Sequence, residues 1–167
     1  MFSVDNMPVL ASMRRILIPD QKLPNLRAHE DKFCVTPVGH VFDMYAAHQG
    51  GQSLRTMFST PSVHYERDGK PDSFSGLKGS ASLQDKLLVL TVVNPHVSAP
   101  CETGIKTPGA AMKSRTATTL TASDTRAHNT FDQRDALVPQ TRTIEPKPAF
   151  RYVFPPASVS KLELTLE

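Results

Sequence analysis

The stretch Thr36–Gly51, TPVGHVFDMYAAHQGG, separates two unlike parts of this 167-residue chain. Thr36 suits a helix N-cap and Pro37 the first helical position. Val41, Phe42, Tyr45 and Ala46 then recur at helical spacing, so the pattern predicts a helix over 37–48 with one apolar face. Gly50-Gly51 is the stop. Such a face packs either on its own domain or on a partner.

Downstream the period becomes two. Lys86–Val93, KLLVLTVV, is the clearest strand. Leu88, Leu90 and Val92 point one way, and Leu87, Val89, Thr91 and Val93 the other, which predicts a central strand covered on both faces. The final segment alternates Leu162, Leu164 and Leu166 inward with Lys161, Glu163 and Thr165 outward. Leu77–Leu83, Cys101–Lys106, Met112–Ala122 and Phe150–Phe154 read as further strands. Ser53–Val63 reads as one strand bent at Pro61. Tyr65–Phe74 reads as a loop, with a turn at Asp68-Gly69 and Pro71 opposing pairing. Ser123–Thr143 is long, polar and aperiodic. Short strands between Pro, Gly and Asn turns predict an all-β antiparallel sandwich, jelly-roll-like, with Leu88, Leu90, Val92, Leu162 and Leu164 in its core.

Upstream, Val9, Leu10, Met13, Ile16 and Leu17 have helical spacing between Pro8 and Pro19, and Pro19–Asp31 reads as a loop. The organisation is thus a helical segment, 1–50, and a β-domain, 51–167. The charge balance, 19 basic against 16 acidic residues, and the scattering of Lys and Arg exclude a nucleic-acid footprint. The longest apolar run is too short for a membrane span. The N-terminus has no signal-peptide pattern, and Cys34 and Cys101 form no framework, so a reducing cytoplasm is the expectation.

The sequence carries no metal or cofactor motif: neither cysteine is in a CxxC pair, and His40 and His48 are eight residues apart on different helix faces. No G-x-S-x-G elbow or phosphate-binding glycine loop is present.

HVFDMY followed by AHQGG resembles the segment that leaves the catalytic barrel of the α-L-arabinofuranosidases of glycoside hydrolase family fifty-one and enters their C-terminal β-domain. Further stretches agree in the same order: GSAS at Gly79–Ser82, LTVVNPH at Leu90–His96, TLTASD at Thr119–Asp124, AHNTFD at Ala127–Asp132 and FPPASVSKLEL at Phe154–Leu164. The resemblance covers roughly residues 36–167. It implies that the helical segment resembles the end of a (β/α)8 barrel. Aligning Val9-Leu10 with the Val-Leu of the family's barrel pattern places Pro8 and Asp5 where the family has Asn and a substrate-holding Gln, so that role is not carried over.

A retaining glycosidase needs two carboxyl groups about 5 Å apart. In the family both are barrel glutamates, and a barrel takes about 250 residues. Glu66, Glu102, Glu145 and Glu163 match neither catalytic motif. The resemblance therefore implies a C-terminal domain of an enzyme that removes terminal α-L-arabinofuranosyl groups from arabinan or arabinoxylan, inactive alone, with no cofactor. Its expected partners are a catalytic barrel, absent here or separately encoded, and further copies of itself. Phe42, Tyr45, His128, Asn129 and Phe131 are the candidate interface residues. For the AHNTFD loop two readings stand side by side, docking onto the barrel or a structural corner in which Asn129 and Asp132 bond to backbone. A second reading of the whole chain is a stand-alone structural or carbohydrate-binding module; sparse aromatics and the absence of Trp weigh against sugar binding.

Overall fold

The computed structural model describes residues 26–29, 32–107, 112–145 and 149–167. In chain order these form β1 (Leu26–His29), β2 (Lys32–Val35), α1 (Pro37–Ala46), β3 (Gln52–Leu54), β4 (Ser62–Arg67), β5 (Lys70–Ser75) and β6 (Lys78–Gln84). There follow β7 (Leu87–Asn94), β8 (Cys101–Lys106), β9 (Met112–Leu120), β10 (Gln140–Thr143), β11 (Ala149–Phe154) and β12 (Ser158–Leu166). The helical spacing read between residues 9 and 17 lies outside the described residues.

Six strands make the main sheet, in the order β10-β9-β12-β7-β6-β3, and every pair in it is antiparallel. A second layer, β11 with β8, lies over one face. Alternation sets what meets between the layers. Val92, Ala117, Leu162 and Leu164 project from the main sheet and Ile105, Phe150, Tyr152 and Phe154 from the second, and together with Leu77 and Met112 they form one buried core. Leu88 and Leu90 pack against that core but are only partly buried, unlike Leu162 and Leu164. They stand directly opposite Leu164 and Leu162 on β12, one strand further from β9.

The outer face of the main sheet carries α1. Val41 and Met44 are buried against Val93, Leu120 and Val159, with Tyr45 alongside. The central-strand reading of β7 therefore holds, with the second layer on one side and the helix on the other. The face that packs is Val41-Met44, while Phe42 and Ala46 look outward. A stripe drawn through 41, 42, 45 and 46 is rotated toward solvent because Met44 was not counted in it.

Three segments differ from the sequence reading. Leu26–His29 pairs with Lys32–Val35 where a loop was expected. Residues 53–63 are two strands in different sheets, β3 and β4, separated at the non-pairing stretch around Pro61. Tyr65–Phe74 is a hairpin, β4 with β5, closed at Asp68-Gly69 with φ of 52° and 72° at the two turn residues. Positive φ at both central positions is the I′ geometry whose twist suits paired strands. Pro71 is tolerated because it stands opposite Glu66 on an outer strand, where its missing N–H is not needed for the ladder. The polar 123–143 stretch ends in a short edge strand, β10, whose Thr141 meets Thr118 at 2.9 Å between hydroxyls.

Candidate functional site

β7 ends at Asn94, β9 ends at Leu120 and β12 begins at Ser158, and the register Ser158↔Asn94 and Val159↔Leu120 puts all three at one end of the main sheet. The loops leaving that end are NPH, TASD and FPPAS. Helix α1 packs on the same end through Val93, Leu120 and Val159.

Asn94 joins these loops. It is almost fully buried, and its Nδ2 donates to the carbonyls of Ala99 at 3.0 Å, Phe154 at 3.1 Å and Pro155 at 2.9 Å. Its Oδ1 accepts from His96 N–H at 3.1 Å. His96 continues the link: its Nδ1 accepts from Ala99 N–H at 2.9 Å and its carbonyl from Ala157 N–H at 2.8 Å. Thr121 Oγ1 donates to the Pro156 carbonyl at 2.8 Å, drawing in the third loop. A buried amide with both ends engaged removes orphan backbone groups that would each cost about 1–3 kcal/mol.

Asn129 does the same for AHNTFD. It is 1% exposed. Its Nδ2 donates to Val35 O and Leu137 O, both at 2.9 Å, and its Oδ1 accepts from Leu137 N–H at 2.7 Å. Cys34 Sγ lies 3.9 Å from the Asn129 carbonyl, so β2 and the loop are tied twice. His128 is exposed, with Nδ1 at 2.9 Å from the Arg126 carbonyl, and Phe131 is half-buried. Asp132 is exposed.

Helix α1 begins where Thr36 Oγ1 accepts from Gly39 N–H at 3.1 Å, with Pro37 at the first position. Beyond its end, His48 reaches the sheet: Nδ1 lies 2.7 Å from Ser82 Oγ and Nε2 2.8 Å from Thr91 Oγ1. Burial, and then the positive charge of Lys161, lower the His48 pKa below its ordinary value. Tyr45 and His40 carry a different signature. Tyr45 Oη and His40 Nε2 are buried with no hydrogen-bond partner among the described residues, and burial raises the Tyr45 pKa. On the outward side Phe42 is 49% and Phe33 57% exposed.

The structure thus brings Phe42 and Tyr45 onto a helix at the loop-rich end. It puts Asn129 inside a knot shared with β2, with His128 and Phe131 flanking it. Asn94, His48 and Cys34 were missed as organising residues. Asn94-Pro95 was legible as a strand end, but nothing local distinguishes an Asn in an open turn from one that is buried and gathers three carbonyls. Asp72 is held below the usual carboxylate range by Tyr65 and Glu102 by Arg151, opposite to what a general acid requires. Both cysteines are free, and among the described residues no group of three or more His, Cys, Asp or Glu could hold a metal. No described helix is long and apolar enough to cross a membrane.

The family description "Alpha-L-arabinofuranosidase C-terminal domain" matches residues 9–158, beginning well before Thr36. No curated protein matches the sequence. Among solved structures, the family fifty-one arabinofuranosidase of Xanthomonas axonopodis pv. citri superposes with a TM-score of 0.74 at 23% identity, over 84% of this chain and 28% of that one. The thermostable α-L-arabinofuranosidase of Thermotoga petrophila gives 0.71 at 26% identity, over 83% and 31%. That of Thermotoga maritima, solved as an arabinose complex, gives 0.74 at 26% identity, over 84% and 31%. The chain spans less than a third of the length of these enzymes. With nearly its whole length matched and the quoted motifs forming its hydrogen-bonded knots, the chain belongs to the α-L-arabinofuranosidase C-terminal domain family.

Proposed function

We propose that this chain serves as the domain that completes a family fifty-one α-L-arabinofuranosidase by docking onto its catalytic barrel, and that these 167 residues do not hydrolyse a glycoside by themselves. On this reading residues 1–50 carry the end of the barrel and its exit, and 51–167 the β-domain. The parent reaction is removal of terminal non-reducing α-L-arabinofuranosyl groups from arabinan or arabinoxylan with retention, and the protein is cytoplasmic. The observation that carries the reading is the composition of the loop-rich end. Phe42 is half exposed there, on a helix whose Val41 and Met44 are packed on the main sheet. A half-exposed aromatic on a helix whose other face is firmly packed suits an apolar anchor for another protein segment. Phe42 and Phe131 supply apolar contact and His128 a polar one, while Asn129 holds the loop in place.

The test is an aryl α-L-arabinofuranoside assay on the purified chain. Release no faster than in buffer is expected. Turnover that disappears when one of Glu66, Glu102, Glu145 or Glu163 becomes Gln would place an acid in this domain and overturn the proposal.

A further inference from the structure

The β4–β5 hairpin stands apart from both layers of the sandwich, since its strands pair only with each other. Alternation sorts its side chains onto two faces. One of them reads, pair by pair toward the turn, Val63↔Phe74, Tyr65↔Asp72 and Arg67↔Lys70. That is an apolar pair, then an aromatic beside an acceptor, then two cations.

Aromatic residues are few in this sequence, and two of them meet on this face. The Tyr65 and Phe74 rings lie 5.5 Å apart, tilted by 49°. Phe74 is partly buried, whereas Tyr65 is 39% exposed, so an apolar ring surface is left facing water. The acceptor beside it is fixed. Tyr65 Oη donates to Asp72 Oδ2 at 2.6 Å, and Asp72 Oδ1 accepts from the Ser73 N–H at 2.7 Å. Each carboxylate oxygen keeps a further acceptor position. One pair on, Arg67 is exposed and meets Asp68 Oδ2 only loosely, at 3.8 Å, so its guanidinium has N–H groups to donate.

A sugar unit matches this arrangement. Its C–H surface suits the Tyr65 ring, and its neighbouring hydroxyls can donate to Asp72 and accept from Arg67. Other ligands match it less well. An apolar segment would cover the Asp72 carboxylate and the Arg67 guanidinium without pairing them. A nucleic acid would meet Asp68 and Asp72 as well as Arg67 and Lys70, with no net charge to draw it. The face is a strand-long platform, about 13 Å from residue 63 to residue 67, and it lies open instead of closing around a chain end. It therefore suits the interior of a polymer.

We propose that this face of the β4–β5 hairpin is an accessory carbohydrate site, at which Tyr65 stacks on a neutral pentose unit within a polysaccharide main chain while Asp72 and Arg67 hold its hydroxyls. The choice of a pentose polymer rests on the arabinofuranosidase reading; the site itself rests on the hairpin.

The test is affinity electrophoresis of the full chain in native gels cast with soluble arabinoxylan or with linear arabinan, the two arms separating a xylan from an arabinan main chain. At least one polymer should retard wild type. Tyr65→Ala should weaken the retardation at least about tenfold. Arg67→Ala, an exposed change that leaves the hairpin's backbone pairing in place, should weaken it too. Val153→Ser, exposed on the second layer, should not. Amide chemical shifts separate binding from a purely structural role of Tyr65: titrating the wild-type chain with oligosaccharides of the retarding polymer should move residues 63–74 and leave α1 unmoved. No retardation in either gel, retardation indifferent to both Tyr65→Ala and Arg67→Ala, or shifts confined to residues outside the hairpin would overturn the proposal. In each of those cases docking onto a barrel through Phe42 would still stand, and loss of that docking alone would leave the sugar site standing.

Discussion

Arg115 is the most unusual single residue in the sandwich. Its register opposite Leu164 points it between the layers, where it is 0% exposed. Its guanidinium lies 4.1 Å from the centroid of the Phe150 ring, and none of its three nitrogens has a hydrogen-bond partner among the described residues. A cation–π contact of this kind is worth about 2 kcal/mol when desolvated, whereas taking an unpaired charge out of water costs several. The balance is unfavourable, so Arg115→Met, which keeps the stem and removes the charge, is expected to raise the stability of this chain by about 1–3 kcal/mol. Chemical denaturation checks it; a loss of stability would show that the guanidinium is paired in solution. Nothing in Met112–Leu120 announced Arg115 as a core residue, since a basic residue in a Thr-rich strand reads as outward-facing. The asparagines hid for the same reason. Asn94 and Asn129 are turn residues by type, and only the tertiary path of distant carbonyls makes them buried knots.

Among the elements, one residue just past the end of α1 adds a polar tie between the helix and the main sheet to the packing of Val41 and Met44. His48 spans Ser82 on β6 and Thr91 on β7, and both ring nitrogens are engaged. Its pKa is lowered in the folded chain, first by burial and then by Lys161. The sign follows: between the unfolded value, about 6.5, and the lower folded one, the unfolded chain binds the extra proton. The contribution of His48 is thus fully present above about pH 6.5 and declines as the pH falls through that range. Thermal unfolding of wild type and His48→Gln should diverge least near pH 5 and most near pH 7.5, with wild type the more stable at neutrality by about 1–2 kcal/mol for the altered hydrogen bonds. A constant gap across pH would show that His48 does not titrate differently on folding.

At this scale the sequence was partly legible. β7 and β12 were readable because their alternation is imposed by burial, and Thr36-Pro37 because capping is local. The β4–β5 hairpin was misread because its strands bury little: without an apolar stripe, period two has nothing to display, and Pro71 reads as a breaker unless its place on the outer edge is known. Asp68-Gly69 alone carried the correct message.

For the whole molecule, the contrast between the two ends of the main sheet is the informative feature. One end is threaded by Asn94, His96, Thr121 and Asn129 and capped by α1; the other, where β7 begins, exposes the simple turn before Leu87. Hydrogen-bonded knots make the loop-rich end rigid, so the geometry of Phe42 and its neighbours is preformed and little ordering entropy opposes docking. Phe42 is therefore expected to act as an anchor. Burying its exposed half against an apolar seat, with the O-ring effect of its neighbours, is worth about 1.5–3 kcal/mol. Phe42→Ser should then weaken binding to a family fifty-one barrel domain, prepared without its own C-terminal domain, by about 10- to 100-fold, with the fold intact because Val41 and Met44 carry the packing. Tyr45→Ser is a poorer probe because Tyr45 also packs against Val93, Leu120 and Val159. Leu87→Ser, at the opposite end, is the control and should leave affinity unchanged. Calorimetric titration decides the matter: if Phe42→Ser binds as tightly as wild type while Leu87→Ser does not, the docking face lies at the other end of the sheet.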